Sequence, residues 1–234
     1  MPISLQTILT PLRDMLFVSD CFHCGASLRD GEQRICSACW NSVTPVRSGD
    51  HTLSVLQQRF SGSGTIDGLD AICYFEKGKL LQSIAHALKY QEVTSLGYAL
   101  GCRLGEIVRY RTVDLIIPVP LNKRKERERG YNQSDWIGKG IADVTGWALR
   151  TDIVRRRRYT VTQTHLNAQE RLENIADAFE IVHPSSVTGR SVLIVDDIIT
   201  TGATIQEVAA ILRNAGASTV YVAAAGLAKL GEDG

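Results

Sequence analysis

Two adjacent carboxylates follow an apolar run near the end of the chain. Val192-Leu-Ile-Val195 precedes Asp196 and Asp197, and a short loop rich in threonine and glycine comes next. The hydroxyls and backbone N–H groups of such a loop, with the start of a helix, form a cradle for an anion. Acids at its rim suit the vicinal hydroxyls of a ribose whose 5-phosphate lies in the loop. The candidate residues are Asp196, Asp197, Thr200, Thr201, Gly202, Ala203 and Thr204.

Helix capping is the alternative explanation of the two acids. One acidic residue at a helix N-cap is ordinary, but capping does not call for two acids directly after a buried strand. The chain has no Gly-Lys-Ser or Gly-Lys-Thr of an ATP-binding P-loop, and no glycine fingerprint of a dinucleotide site after a strand. The pattern therefore argues against an ATPase and against a dinucleotide-binding domain.

Four of the six cysteines form two Cys-x-x-Cys pairs near the N-terminus. Eleven residues separate the pair Cys21 and Cys24 from the pair Cys36 and Cys39, a spacing typical of a tetrahedral four-thiolate Zn²⁺ site. Four protein ligands leave no open position, so we predict a structural site. A disulfide framework is the alternative. It fits less well because we interpret the first residues as an amphipathic helix, not a secretion signal, and expect a cytosolic location where thiols stay reduced.

A first basic segment follows the apolar run that ends at Pro118. It contributes Asn122, Lys123, Arg124, Arg127 and Arg129. Cations and backbone N–H groups of this kind suit a pyrophosphate with Mg²⁺. The alternative is a solvated surface turn, because Glu126 and Glu128 alternate with the basic residues. The amides of the following Gly130-Tyr-Asn-Gln133 stand at a predicted helix start and are typical of a site.

A second basic segment combines four consecutive arginines with a threonine-rich stretch. Like charges repel one another unless they face anions, and the stretch after them predicts a mobile loop. The candidate residues for this loop or for DNA are Arg155, Arg156, Arg157, Arg158, Gln163 and Arg171.

Short apolar runs alternate with helical patterns from about residue 70 onward. This alternation predicts an α/β fold with a parallel sheet and helices on both faces. Ligands of such sheets bind at the carboxyl ends of the strands. We predict three parts of the chain: an N-terminal helix and zinc ribbon over 1–45, a linker over 46–69, and the α/β domain over 70–234.

The composition limits the function classes. The chain has 234 residues, 44% of them hydrophobic, and a net charge of +1, so a uniformly basic nucleic-acid-coating protein is excluded. The apolar stretch over 220–228 is far short of the roughly 20 residues that a membrane span needs. We expect no membrane span.

Residues Val192–Thr204 resemble the phosphoribosyl pyrophosphate (PRPP) fingerprint of type I phosphoribosyltransferases. The resemblance implies that the two acids hold the ribose hydroxyls and that the loop holds the 5-phosphate. It further implies a pyrophosphate loop in the first basic segment, Mg²⁺ bound with PRPP, and a flexible loop in the second segment that closes over the reacting centre.

Taken in order, the cysteine pairs, PVPLNKRKERERGYNQS, RRRRYTVTQTHLNAQERLEN and VLIVDDIITTGAT resemble the ComF family. Its members carry a zinc ribbon ahead of a domain of type I phosphoribosyltransferase fold. The resemblance implies a role in natural competence, with single-stranded DNA as a partner and a competence helicase as an open question. A phosphoribosyltransferase enzyme with an unknown acceptor, and a scaffold without chemistry, are the alternatives.

Overall fold

Strands and helices alternate along the chain, as the sequence predicts. The computed structural model describes residues 20–157 and 178–229. Its α-helices are α1 (Ser37–Asn41), α2 (His51–Gly62), α3 (Leu80–Tyr90), α4 (Thr94–Val108), α5 (Lys123–Arg129), α6 (Gln133–Thr145) and α7 (Ala203–Asn214). Its strands are β1 (Gly68–Phe75), β2 (Leu115–Pro118), β3 (Ala148–Leu149), β4 (Val154–Arg156), β5 (Phe179–Ile181), β6 (Ser191–Ile199) and β7 (Thr219–Ala228). The predicted N-terminal helix lies outside the described residues.

A parallel sheet in the order β1-β7-β6-β2-β3 forms the centre of the described structure. β6 pairs with β2 on one side and with β7 on the other. Its residues 192–195 are completely buried, which explains why they form a continuous apolar run. Because Pro118 lies in register with Val195, the carboxyl ends of β2 and β6 meet at one edge of the sheet.

Helices cover both faces of this sheet. α2, α7 and the antiparallel β4–β5 pair pack on one face, where buried side chains such as Leu56, Val154 and Leu212 form one cluster. On the other face α3, α4 and α6 pack together with the cysteine segment, and Leu88, Leu100 and Ile137 belong to this second cluster. None of the helices in these described ranges combines the length and apolar character that crossing a bilayer requires.

The predicted linker contains a helix that belongs to the core. Leu56 and Phe60 of α2 are 0% and 1% exposed, and Leu53 is also buried. Leu53, Leu56 and Phe60 recur at the spacing of one helical face, but the serines and glycines on both sides of them obscured this pattern. The boundaries at 46 and 69 therefore stay a prediction, while the segment between them folds onto the sheet.

Glycines allow α4 and α6 to pack at very short distance. A Cβ atom added to Gly101 would lie 2.1 Å from the carbonyl oxygen of Ile137 and 2.9 Å from the Cα of Gly140. Real Cβ contacts are never this short, so the contact between these helices requires glycine at this position. The contact positions α6, whose first turn reaches the candidate site.

Gly101→Ala should therefore destabilise the protein by about 3 kcal/mol, because the new methyl group overpacks against backbone atoms. The expected fall in Tm is about 6–12 °C for a chain of this size. Gly62→Ala is the matched control: the added Cβ meets nothing within 4 Å, so Tm should hold or rise slightly. Thermal unfolding followed by circular dichroism measures both, and equal Tm values for the two variants would contradict the packing argument.

Candidate sugar-phosphate site

The two adjacent acids occupy the carboxyl-terminal part of β6. Asp196 Oδ1 accepts hydrogen bonds from Ser134 Oγ at 3.2 Å and from the backbone N–H of Asp197 at 2.9 Å. Asp197 Oδ1 accepts from the backbone N–H of Ile198 at 2.7 Å. Both acids are half-buried. Hydrogen bonds therefore fix the orientation of each carboxylate, and part of each side chain stays accessible to a ligand.

Asp196 is held in an environment that disfavours its ionised form. Burial raises its pKa above the usual aspartate range, and the neighbouring charge of Asp197 adds to the rise. The hydrogen bonds from Asp197 N–H and Ser134 and the charge of Lys89 oppose it. A cation or a hydroxyl donor bound here would stabilise the carboxylate, so these groups suit a ribose hydroxyl or a metal ion.

The raised pKa predicts that Asp196→Asn stabilises the unliganded protein. Between the unfolded and the folded pKa of Asp196 the native state binds more protons, so the wild type loses stability as pH rises through that window. At pH 8 the neutral amide should raise Tm by about 2–4 °C for each kcal/mol recovered. The difference should shrink as the pH falls towards 4, close to the usual pKa of aspartate, because the acid is protonated in both states only below that pKa. Tm measured from pH 4 to pH 8 tests this, and a variant that is less stable at pH 8 would contradict it.

The loop after β6 is exposed on its outer side and supported from below. Thr200 and Thr201 are exposed, whereas Gly202 is buried and has a φ of 76°. A Cβ at Gly202 would lie 2.8 Å from the Phe60 ring, so this position requires glycine both for its backbone and for its space. α7 begins at the next residue, Ala203, with Thr204 in its first turn. The loop and the helix start are thus where the sequence predicts them, and their use as an anion cradle stays a prediction.

The first turn of α6 contributes polar side chains, which the sequence indicated only as part of a polar segment at a predicted helix start. Asn132, Gln133 and Ser134 are 7%, 3% and 4% exposed. Asn132 caps the helix by accepting from Ser134 N–H at 3.3 Å. Gln133 Nε2 is buried and has no hydrogen-bond partner among the described residues. A buried amide without a partner is costly, so the turn fits a site that a ligand completes.

Lys89 is a second residue that the sequence did not reveal. It lies half-buried at the end of α3, and its charge acts on Asp196. The carbonyl of the preceding Leu88 accepts a hydrogen bond from the hydroxyl of Tyr131, just before the first turn of α6. Its place beside the acids results from this contact between α3 and the α5–α6 connection, for which the sequence carries no local signal.

The predicted pyrophosphate loop is a helix in the structure. Asn122 caps α5 by accepting from the Arg124 N–H at 2.9 Å, and Arg124 pairs with Glu128 at 2.8 Å on the exposed surface. Arg127 Nε donates to the carbonyl of Lys123, and Arg129 is half-buried. Strong helix formers at these positions explain the helix, since alternating charges place pairs four residues apart. Most of α5 is therefore a solvated surface segment in which acidic and basic side chains alternate.

A small cavity nevertheless lies between α5, the first turn of α6 and β4. It has a volume of about 130 Å³ and lies at the carboxyl end of β2. Its lining residues come from four parts of the chain: Pro118, Pro120, Leu121, Lys123, Glu126, Asn132, Asp135, Thr151, Val154, Arg155 and Arg156. Burial raises the pKa of Asp135 to about 6, against the hydrogen bond from Asn132 and with the charge of Glu126 adding to the rise. Lys123, Arg155 and Arg156 thus line the same cavity as a carboxyl group whose pKa is raised.

The arginine run divides between two faces of β4. Arg155 and Arg157 are exposed and both pair with Glu180 of β5, Arg157 at 3.2 Å. Arg156 lies over the ring of Phe179 at 5.2 Å and lines the cavity. This division follows from the alternation of side chains along a strand. Arg158, Gln163 and Arg171 lie outside the described residues.

The four predicted zinc ligands lie together near the N-terminal end of the described residues. The sulfurs of Cys21, Cys24, Cys36 and Cys39 all lie within 4.8 Å of one another. Cys21 Sγ is 3.8 Å from Cys39 Sγ, and Cys24 Sγ is 3.7 Å from Cys36 Sγ. Zn–S bonds of about 2.3 Å in a tetrahedron place sulfurs about 3.8 Å apart. The donor set and its spacing therefore fit Zn²⁺.

The electrostatics of the cluster also call for a cation. Burial acts to raise the pKa of Cys21, but N–H groups of Cys24, Cys36 and His23 outweigh it and hold that pKa below the usual range. Burial and the neighbouring sulfurs raise the pKa of Cys39. Four thiols this close cannot all ionise without a positive charge between them. A bound metal ion would remove this conflict.

The cysteine segment packs against the α/β domain. Buried Ile35, Cys36 and Cys39 belong to the same hydrophobic cluster as α3 and α4. Arg103 of α4 lies over the ring of Trp40 at 5.8 Å. The segment is therefore part of one body with the sheet, and loss of its metal should be felt by the whole protein.

Cys24→Ser should abolish zinc binding, because it removes one ligand of four at the exposed corner of the cluster. We expect one zinc ion per wild-type chain and almost none in the variant, measured by chromogenic titration after thiol modification. Tm should fall by about 5–10 °C, since metal binding contributes to folding. Cys102→Ala, outside the cluster on α4, should retain zinc. Equal zinc content in the two variants would exclude the site.

Comparisons with known proteins agree with this arrangement. A family model described as "Phosphoribosyl transferase domain" matches residues 139–230, which include β6, the loop and α7. The chain is 28% identical to Competence protein F of Haemophilus influenzae over 217 residues, 86% of this chain and 94% of that protein. The resemblance to the ComF family is confirmed. The chain thus has the type I phosphoribosyltransferase fold, preceded by a four-cysteine cluster.

Other relatives match a smaller part of the chain. Identity to DNA utilization protein YhgH of Salmonella typhi is 37% over 149 residues, 61% of this chain and 65% of that protein. The chain therefore matches less than two thirds of that relative's length. Among solved structures, it is 17% identical to adenine phosphoribosyltransferase of Thermoanaerobacter pseudethanolicus, covering 59% of this chain and 83% of that one with a TM-score of 0.39. None of these names bears on a helicase partner.

Proposed function

We propose that this chain binds Mg²⁺–PRPP at the carboxyl end of β6 and handles single-stranded DNA in natural competence. One observation carries the first part: Asp196 is held by Ser134 at 3.2 Å directly before an exposed loop that leads into α7. In this proposal Asp196 and Asp197 accept hydrogen bonds from the ribose hydroxyls. The amides and hydroxyls of 200–204 receive the 5-phosphate.

The pyrophosphate of PRPP would lie towards the carboxyl end of β2. Lys123, Arg155 and Arg156 line the cavity there, and the charge of Lys89 acts on Asp196. Cations around a pyrophosphate offset its negative charge at low cost because they are already in place. Asp196 and Asp197 are the residues that would hold Mg²⁺, which would supply positive charge against the pyrophosphate.

Relatives and exposed arginines support the DNA-handling part. The matched proteins carry the names "Competence protein F" and "DNA utilization protein". Arg155 on β4 and Arg157 directly after this strand are exposed, and Arg155 also lines the cavity proposed for pyrophosphate. Guanidinium groups on a strand edge can follow the phosphates of a single strand. In this proposal PRPP and DNA phosphates bind to neighbouring parts of one basic surface.

Phosphoribosyl transfer to an acceptor is the second candidate function. It is favoured by the domain match over 139–230 and by the intact acids and loop. The reaction would break the bond from the anomeric carbon to pyrophosphate and form one to the acceptor. A pyrophosphate assay with PRPP and candidate acceptors tests it: release that depends on an acceptor supports transfer, and its absence with every acceptor favours PRPP as an effector.

Asp197→Asn should weaken Mg²⁺–PRPP binding about 10- to 100-fold, because it removes the charge from a hydrogen bond to a ribose hydroxyl. Lys89→Gln should also weaken it, through the loss of a cation beside the pyrophosphate. Titration calorimetry with Mg²⁺ present measures both. Asp30→Ala, an exposed acid near the cysteine cluster, is the control and should bind as the wild type does. Wild-type protein that does not bind PRPP would end the proposal.

Substitution of Arg155 and Arg157 and substitution of their partner Glu180 should change DNA affinity in opposite directions. Arg155→Gln with Arg157→Gln should weaken binding of a labelled single strand and lower the salt slope by about 1.4, since two phosphate contacts are lost. Glu180→Gln should strengthen binding, because Glu180 competes with the DNA for both arginines. Fluorescence anisotropy over a salt series measures both, and DNA binding that none of these changes affects would contradict this surface.

A further inference from the structure

We propose that Arg59 of α2 is a direct ligand of the 5-phosphate. The inference rests on the proposed function, because it assumes that a sugar phosphate occupies the loop after β6. It adds a cation to a subsite that the sequence pattern builds from loop amides and hydroxyls alone. It also assigns a binding role to a segment outside the domain match over 139–230.

Consecutive residues of α2 contact consecutive residues of the loop. Arg59 Nη1 donates to the carbonyl oxygen of Thr201 at 2.7 Å. The ring of Phe60 lies directly under Gly202, where an added Cβ would come within 2.8 Å of it. These contacts join positions 142 residues apart in sequence. The guanidinium of Arg59 is therefore held at the loop and not merely near it.

The remaining donors of Arg59 are available to a ligand. A guanidinium has five N–H donors in a planar fork, and one of them is used by the Thr201 carbonyl. The side chain is exposed. Among the ion pairs of the described residues, none involves Arg59. A phosphate in the loop would meet a fork that matches two of its oxygens.

The charges of the site explain why a cation is needed there. Residues 200–204 include no lysine or arginine, and Asp196 and Asp197 precede them. On α7, Arg213 pairs with Asp67 and donates to the carbonyl of Ser218 at 2.6 Å, at the helix's other end. A phosphate dianion close to two carboxylates is repelled. Arg59 offsets this repulsion from α2, which packs on the other face of the sheet from α3 and its Lys89.

The rest of α2 holds Arg59 in place. Leu56 and Phe60 are buried in the core. At the start of the helix, Asp50 accepts from the hydroxyl of Tyr74 in β1 at 3.0 Å, and its carbonyl accepts from Ser54 N–H at 2.8 Å. A helix fixed at both ends loses little entropy when its arginine binds an anion. This is the arrangement expected of a binding residue.

The test titrates the full chain with three probes: Mg²⁺–PRPP, ribose 5-phosphate and Mg²⁺–pyrophosphate. Arg59→Gln should weaken the first two about 10-fold or more and change pyrophosphate binding less than about 2-fold, because only the first two carry a 5-phosphate. Arg59→Lys keeps the charge but not the fork and should lie between Arg59→Gln and the wild type. Arg47→Gln, another exposed arginine just before α2, should bind all three probes normally.

A salt series separates direct binding from support of the loop. The loss caused by Arg59→Gln should shrink as ionic strength rises, since a charge contact is screened. A loss that is independent of salt, or equal for all three probes, would overturn the proposal and leave Arg59 as a prop for Thr201. If the wild type binds PRPP and Arg59→Gln binds it with the same affinity, the inference is overturned too, while the proposed function stands. Wild-type protein that binds neither PRPP nor ribose 5-phosphate would overturn both.

Discussion

The burial of β6 between β2 and β7 is the constraint on which the rest of the structure depends. Its apolar side chains are buried on both faces of the sheet, and its backbone pairs with both neighbouring strands. A strand buried in this way ends where the sheet opens, so the next side chains must meet solvent or ligand. Asp196 and Asp197 occupy that position. The candidate site is therefore tied to the central strand of the described sheet.

Elements from three parts of the chain then complete the site around this strand. α6 brings Ser134 to Asp196, and its approach depends on the glycine contact with α4. α2 brings Arg59 and Phe60 to the loop. α3 places Lys89 within electrostatic range of Asp196. Each helix contributes one face to the core and one residue to the site, so stability and binding share the same packing.

The acids and the cysteines illustrate one electrostatic principle at two places. Asp196 has its pKa raised by burial and by Asp197, and the cysteine cluster holds thiols too close to ionise together. In each case like charges are gathered where water is scarce, at a cost to the unliganded protein. A cation or a hydrogen-bond donor relieves that cost.

Local sequence was sufficient for the parts of this protein whose residues are neighbours along the chain. The apolar run, the acids and the Thr-Thr-Gly loop predict a strand, a site and a helix start, because backbone periodicity acts over a few residues. The paired cysteines predict a metal site for the same reason. Most strands and helices from residue 68 onward follow from such patterns, whereas the helical form of α5 and the presence of α2 were obscured by charge and by flanking glycines.

Only the tertiary structure decided which distant side chains reach the site. Ser134 meets Asp196 across 62 residues, and Arg59 meets Thr201 across 142. The sequence around Arg59 has the composition of a linker, and nothing local distinguishes this arginine from Arg47. Its position results from Leu56 and Phe60 packing into the core beside the loop. Contacts of this kind depend on how helices dock on the sheet, and that docking is determined by the packing of many side chains together.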